Sequence, residues 1–323
     1  MEYGSYSFQG NAIEISDLTV AYQDKPVLWD IDLTVPEGVL MAIVGPNGAG
    51  KTTTIRMLAG LLLPTSGEIL IDGEPITHNP QRARWLVGYM PDFFGVYDDM
   101  KVWEYLDFFA RCYNLPPERR TAVIAELLEL VDLSEKREAF VESLSRGMRQ
   151  RLCLAHALVH DPKILLLDEP ASGLDPRARI EMRELLRELG RMGKTVLISS
   201  HILSELAEMC DAVGIIERGK LLASGPVSEI AHAASADKLL NLQLLQMDEE
   251  TIRDATTALK AYPGVNDVFQ AENALEVVFT GDNSATSGLL RHLIEQQVPV
   301  LSFAEATSNL EEIFLKVTKG QVQ

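Results

Sequence analysis

The first seventy or so positions alternate between short apolar runs and turn signals. Runs at 13–22, 27–35, 39–44 and 68–71 fit β-strands, and Asp24-Lys25-Pro26, Pro36-Glu37-Gly38 and Asp72-Gly73 punctuate them. The run 39–44 (Val-Leu-Met-Ala-Ile-Val) has no polar position, which predicts a strand buried on both faces. From about 101 to 159 the period becomes helical. Val102, Leu106 and Phe109 share one face, as do Val123, Leu127, Leu130 and Val131. Strand-like runs at 164–167 and 195–199 then flank a helical stretch, 177–192, and strands alternating with helices predict a parallel sheet. The character changes at Gly225-Pro226. Beyond it the pattern reads strand 238–245, helix 249–261, strands 265–269 and 274–279, helix 284–297 and strand 300–304. This β-α-β-β-α-β order predicts a small ferredoxin-like α+β unit. A last helix, 310–317, sets Leu310, Ile313, Phe314 and Val317 in one stripe, which predicts packing. The expected division is therefore a first domain of 1–227, with a helical subdomain over about 93–160, and a second of 228–323.

Composition narrows the class. Apolar residues make up 46% of the 323 positions, enough for a packed core in each of two domains. A net charge of −18 argues against nucleic acid as a partner, since such proteins present a basic face. Cys112, Cys153 and Cys210 are widely spaced and sit in apolar stretches, so they read as buried, reduced thiols. Residues 1–9 lack the pattern of a signal peptide, and no run approaches the ~18 apolar residues of a membrane span. The expectation is a protein soluble by itself.

The chemistry begins at Gly45-Pro46-Asn47-Gly48-Ala49-Gly50-Lys51-Thr52, which satisfies G-x-x-x-x-G-K-[ST] between a strand and a helix. Its glycines let successive backbone N–H groups converge on phosphate, the helix N-terminus adds partial positive charge, and Lys51 reaches the outer phosphates. Thr52 offers a hydroxyl to Mg²⁺, and Thr53 continues the same helical turn. Downstream, Ile164-Leu165-Leu166-Leu167 delivers Asp168 and Glu169 to a strand's C-terminal end, where parallel sheets keep their ligands. Asp168 suits a metal and Glu169 suits the attacking water.

Together with the phosphate loop, these residues resemble the ATP-binding cassette (ABC) family over about 13–225. Leu144-Ser145-Arg146-Gly147-Met148-Arg149-Gln150 is similar to the family's signature segment, usually Leu-Ser-Gly-Gly-Gln, with Arg146 and Met148 as departures. The resemblance implies that Ser145 and Gly147 touch the γ-phosphate bound by another subunit. Ser172-Gly173-Leu174-Asp175 resembles the D-loop, and Leu197-Ile198-Ser199-Ser200-His201 the switch segment, with His201 on the γ-phosphate and Glu169. Tyr22 aligns with the aromatic that stacks on adenine. Asp92, in Gly88-Tyr89-Met90-Pro91-Asp92, stands where the family usually has glutamine, and a carboxylate there could still serve Mg²⁺. Phe93, Phe94, Tyr97 and Trp103 follow, either as a docking face for a partner helix or as core packing.

What the resemblance implies is an α/β ABC ATPase fold: a P-loop parallel-sheet core with antiparallel β and helical subdomains. It implies ATP and Mg²⁺ as ligands, and a dimer, since each ATP needs the signature of another chain. It further implies a separately encoded integral-membrane permease and a cytoplasmic place at the inner face of the membrane. The single cassette, the signature variant and the appendage look like export-type members. The alternatives are a soluble ABC ATPase of translation or repair, or a regulatory ATP-binding protein. A translation factor usually joins two cassettes by a basic linker, and a repair ATPase would insert coiled coil or zinc motifs. This chain has one cassette and an acidic charge, and neither coiled coil nor zinc motif occurs between Lys51 and Ser145. Glu169 and His201 argue for hydrolysis.

Overall fold

A computed structural model describes residues 10–22, 25–92, 95, 99–201, 209–234, 238–246, 248–270 and 274–305. The chain divides into two units, Met1–Val227 and Ser228–Gln323.

In the first unit, strands β1 (Asn11–Tyr22) and β2 (Lys25–Pro36) pair antiparallel, with Ile13 opposite Val35 and Leu18 opposite Ile31. Strand β4 (Ser66–Ile71) joins the other edge of β1, and the two-residue β5 (Glu74–Pro75) completes the order β2-β1-β4-β5. Alternation places Ile13, Ile15, Ile69 and Ile71 inward, where they share a core with the second sheet.

That second sheet centres on β3 (Leu40–Val44), the run without polar positions, and every residue of it is buried. Its order is β10-β9-β3-β8-β7-β6 among the described residues. The neighbours are β6 (Val87–Met90), β7 (Ile164–Asp168), β8 (Thr195–Ser200), β9 (Ala212–Glu217) and β10 (Lys220–Pro226). All ladders are parallel except the one joining β9 to β10. The register sets Val44 beside Ser200 and Asp168 beside Ser199. The residues following β3, β7 and β8 therefore emerge together at one edge, which is what positions the site.

Helix α1 (Lys51–Leu58) follows β3, α2 (Pro80–Leu86) precedes β6, and α6 (Pro176–Arg191) links β7 to β8. Helices α3 (Val102–Cys112), α4 (Pro117–Leu130) and α5 (Arg146–Leu158) lie between β6 and β7. Helix α4 buries Ile124, Leu127 and Leu128, so its inner face is turned about one position from the one expected, leaving Val123 and Leu130 half-buried. Cys112 corrects the expectation of three buried thiols. It is exposed, because two positions beyond buried Ala110 the helix has turned to its outer face. Cys153 and Cys210 are buried, and burial pushes both thiols up, Cys153 to about 12.

Helix α7 (Val227–Ala234) leads to the second unit: β11 (Lys238–Leu244), α8 (Glu249–Lys260), β12 (Val265–Gln270), β13 (Leu275–Phe279), α9 (Asn283–Glu295) and β14 (Val300–Glu305). The antiparallel order β12-β13-β11-β14 is the ferredoxin-like arrangement expected. Asp248 and Asp282 cap α8 and α9 by accepting from the N–H groups of Thr251 and Ala285. Leu240, Leu242, Val277 and Phe279 pack with Leu259, Leu289 and Leu293 in a core of their own. The stripe at 310–317 lies outside the described residues, as do Phe93, Phe94 and Tyr97.

Candidate nucleotide site

The loop 45–50 turns directly from β3 into α1. Gly50 takes φ +113°, and a Cβ there would lie 2.4 Å from Leu28 Cδ2, so only glycine fits this bend. The Ala49 N–H donates to Pro46 O at 3.1 Å and closes the turn. Lys51, only 6% exposed, donates to Gly45 O at 2.8 Å and Pro46 O at 3.3 Å. Its ammonium is also 3.5 Å from Glu169 Oε1.

Two hydroxyl side chains then meet at one carboxylate. Asp168 is 1% exposed, and its Oδ1 accepts from Ser199 Oγ at 2.6 Å and from Thr52 Oγ1 at 3.0 Å. Ser199 Oγ in turn accepts the Glu169 N–H at 2.9 Å. This hydroxyl joins the two acidic residues, and the sequence reading gave it no role. Its signal was a polar residue at the end of an otherwise apolar strand. Asp168 Oδ2 is buried without a hydrogen-bond partner among the described residues. That is an open acceptor beside the Thr52 hydroxyl, and hard oxygen donors of this kind fit Mg²⁺. No group of three or more acidic, His or Cys side chains forms a metal cage among the described residues. A metal here would take its remaining ligands from phosphate and water, as Mg²⁺ commonly does.

Glu169 sits at φ +51°, an uncommon conformation for a residue with a side chain. The turn carries its carboxylate between Lys51 and His201, whose Nδ1 lies 2.8 Å from Glu169 Oε2. His201 is 42% exposed on its side chain, so it faces both the carboxylate and solvent.

A cleft of about 380 Å³ is lined by Asn47, Gly48, Gly50, Lys51, Thr52, Thr53, Asp92, Glu169 and His201, joined by Val27 and Ser172. Asp92 therefore shares the cleft with the phosphate loop, and Val27 and Ser172 add to the residues expected there. Tyr22 ends β1 opposite Lys25, and its side chain lies outside the described residues. Ser145 and Gly147 do not line this cleft; they open α5. Ser145 Oγ accepts the Met148 N–H at 3.3 Å, which leaves its own proton free to donate outward.

Residues 28–172 match the family described as ABC transporter, and residues 225–318 match a family described as the C-terminal domain of DrrA1-3-like ATP-binding proteins. Nod factor export ATP-binding protein I of Burkholderia orbicola is 36% identical over 312 residues, covering 96% of this chain and 98% of the relative. The chain belongs to the ATP-binding cassette family. Linearmycin resistance ATP-binding protein LnrL of Bacillus subtilis is 30% identical over 308 residues, with 95% of this chain covered and 98% of the relative. A solved ATP-binding subunit of an ABC transporter superimposes on 69% of this chain and 93% of its own, with TM-score 0.63 and 31% identity. The cbiO1 protein of Clostridium perfringens, part of the ABC transporter complex cbiONQ, gives the same score at 28% identity over 69% of this chain and 91% of its own. The protein is thus an ABC ATPase subunit that binds and hydrolyses ATP, and its sheet core is the one the resemblance implied.

Proposed function

We propose that this ABC subunit drives export through a separately encoded integral-membrane permease, working with Mg²⁺-ATP as a dimer at the cytoplasmic face of the membrane. The observation that carries the chemistry is the convergence of Lys51, the Thr52–Asp168–Ser199 cluster and the Glu169–His201 pair on one cleft. The loop N–H groups and Lys51 would bind the phosphates. Thr52 and Asp168, with Asp92 on the cleft wall, would hold Mg²⁺, which supplies charge neutralisation at the β- and γ-phosphates when bound. Glu169 would orient and deprotonate water at the γ-phosphate while His201 fixes the carboxylate.

The dimer is supported by what the cleft omits. Ser145 presents a free O–H at a helix N-terminus, a phosphate-binding arrangement, yet it does not line its own chain's cleft. A second copy would bring that segment to the nucleotide. The permease is supported by the family itself. No helix among the described residues is long and apolar enough to cross a membrane, and a permease in another chain would supply the translocation path. The names of the relatives, Nod factor export and linearmycin resistance, support the outward direction.

The test uses Glu169→Gln and Lys51→Ala. Glu169→Gln should bind ATP but lose roughly a thousandfold in turnover, the scale of a general base, and should sediment as an ATP-dependent dimer. Lys51→Ala should weaken ATP binding roughly 100-fold through the lost charge-assisted bonds. Phosphate release by Glu169→Gln at the wild-type rate would remove the base assignment. A monomer at every concentration with ATP bound would remove the shared site.

A further inference from the structure

Arg146 occupies a position where a glycine would make no side-chain contact, and its guanidinium reaches across to the turn that carries Glu169. Its Nη2 donates to Ser172 O at 3.1 Å. The same carbonyl accepts from Gln150 Nε2 at 3.3 Å, one helical turn along α5, and Gln150 is only 2% exposed. Ser172 in turn donates its N–H to Glu169 O at 3.0 Å. Two hydrogen bonds therefore connect the guanidinium to the backbone of the residue whose φ of +51° must be held in place.

The next residue completes the fit. Gly173 sits at φ +66°, and a Cβ there would lie 2.3 Å from Arg146 Nη2 and 2.4 Å from its Cζ. The guanidinium lies against the bare Cα, and any larger residue would push it off. Arg146 and Gly173 are thus a matched pair, and Ser172 between them lines the nucleotide cleft together with Glu169.

We propose that Arg146 is a positioning residue for hydrolysis: it clamps the 169–173 turn to the first turn of α5 and so ties the aim of Glu169 to the state of that helix's N-terminus. This rests on the reading above, in which Ser145 and Gly147 meet the nucleotide of a second copy. Occupation of that N-terminus would then settle α5, and Arg146 would hand the settled position to the chain's own Glu169. A charge-assisted bond to a carbonyl suits the task, being stronger and more directional than a neutral one. Gln150 supplies a second, buried donor to the same oxygen, so the turn has a fallback for stability when Arg146 is removed.

The experiment compares Arg146→Ala, Arg146→Lys and Gly173→Ala in the full chain, measuring ATPase rate against ATP concentration alongside ATP-binding stoichiometry. Arg146→Ala should lower kcat roughly tenfold, about the worth of one charge-assisted hydrogen bond, with the KM for ATP and the melting temperature unchanged. Arg146→Lys should recover part of the loss, having one cationic donor without the flat group. Gly173→Ala should reproduce the kcat loss by displacing the guanidinium, and adding Arg146→Ala to it should cost little more. Each variant placed in the Glu169→Gln background should still form the ATP-bound dimer. Loss of that dimer only with Arg146→Ala would assign Arg146 to assembly and overturn the positioning role. So would an Arg146→Ala kcat within twofold of wild type. A monomeric Glu169→Gln parent would instead sink the shared-site reading, whatever the Arg146 kinetics show.

Discussion

Ser199 shows how much one hydroxyl can carry. It donates to Asp168 Oδ1 and accepts from the Glu169 N–H, so it sets the two neighbouring acidic residues in a fixed relation. Removing it leaves a half-buried N–H unpaired and Asp168 with only Thr52, at a cost of about 1–3 kcal/mol. Ser199→Ala should therefore lower kcat at least tenfold while the affinity for ATP changes little. Steady-state kinetics beside equilibrium binding would check this, and a wild-type kcat would reduce Ser199 to packing. The phosphate loop and the Asp168-Glu169 pair could be read from sequence because their spacing is local. Ser199 and Arg146 could not be given roles in the same way. Their partners stand 31 and 26 residues away, and only the parallel register and the contact between α5 and the turn bring them together.

Among the elements, the strands were the most legible, since β3 lies inside the sheet with no polar position to blur it and β7 is apolar up to Asp168 at its end. The short α2 and the β9–β10 hairpin were missed. The composition of α2 is mixed, whereas β9 is an apolar run whose signal was present and passed over. The α3–α5 contact hides a pH dependence. His156 stacks on Phe109 with centroids 3.6 Å apart, and His160 stacks on Tyr113 at 3.9 Å. The ring of His160 bonds Val87 O through Nε2, and its Nδ1 is buried without a partner among the described residues. Burial holds both imidazoles down at about 4, neutral at ordinary pH. The unfolded chain binds those protons first, so the stability they permit is complete above about 6.5 and is lost as pH falls from there towards 4. Urea midpoints should fall between pH 7 and pH 5, and His156→Phe, which keeps the stack, should flatten that fall. An unchanged slope in His156→Phe would locate the acid sensitivity elsewhere.

At the scale of the molecule, the cleft and all its lining residues belong to the first unit, while the second has a core and capped helices of its own. A chain ending at Val227 should accordingly bind ATP with an affinity within about threefold of the full chain, a change of less than 1 kcal/mol. Fluorescent-nucleotide titration checks this, with circular dichroism to confirm folding. A folded but non-binding truncation would give the second unit a part in the site. Finally, the placing of Ser145 and Gly147 outside their own chain's cleft has a kinetic meaning. If each nucleotide needs a segment from a second copy, hydrolysis is second order in free subunit. Dilute, unassembled chains would bind ATP and leave it intact, and consumption would rise with the square of concentration until the copies are paired. A permease that holds two copies side by side raises their effective concentration and removes that order altogether. The fuel is then spent where the cargo is.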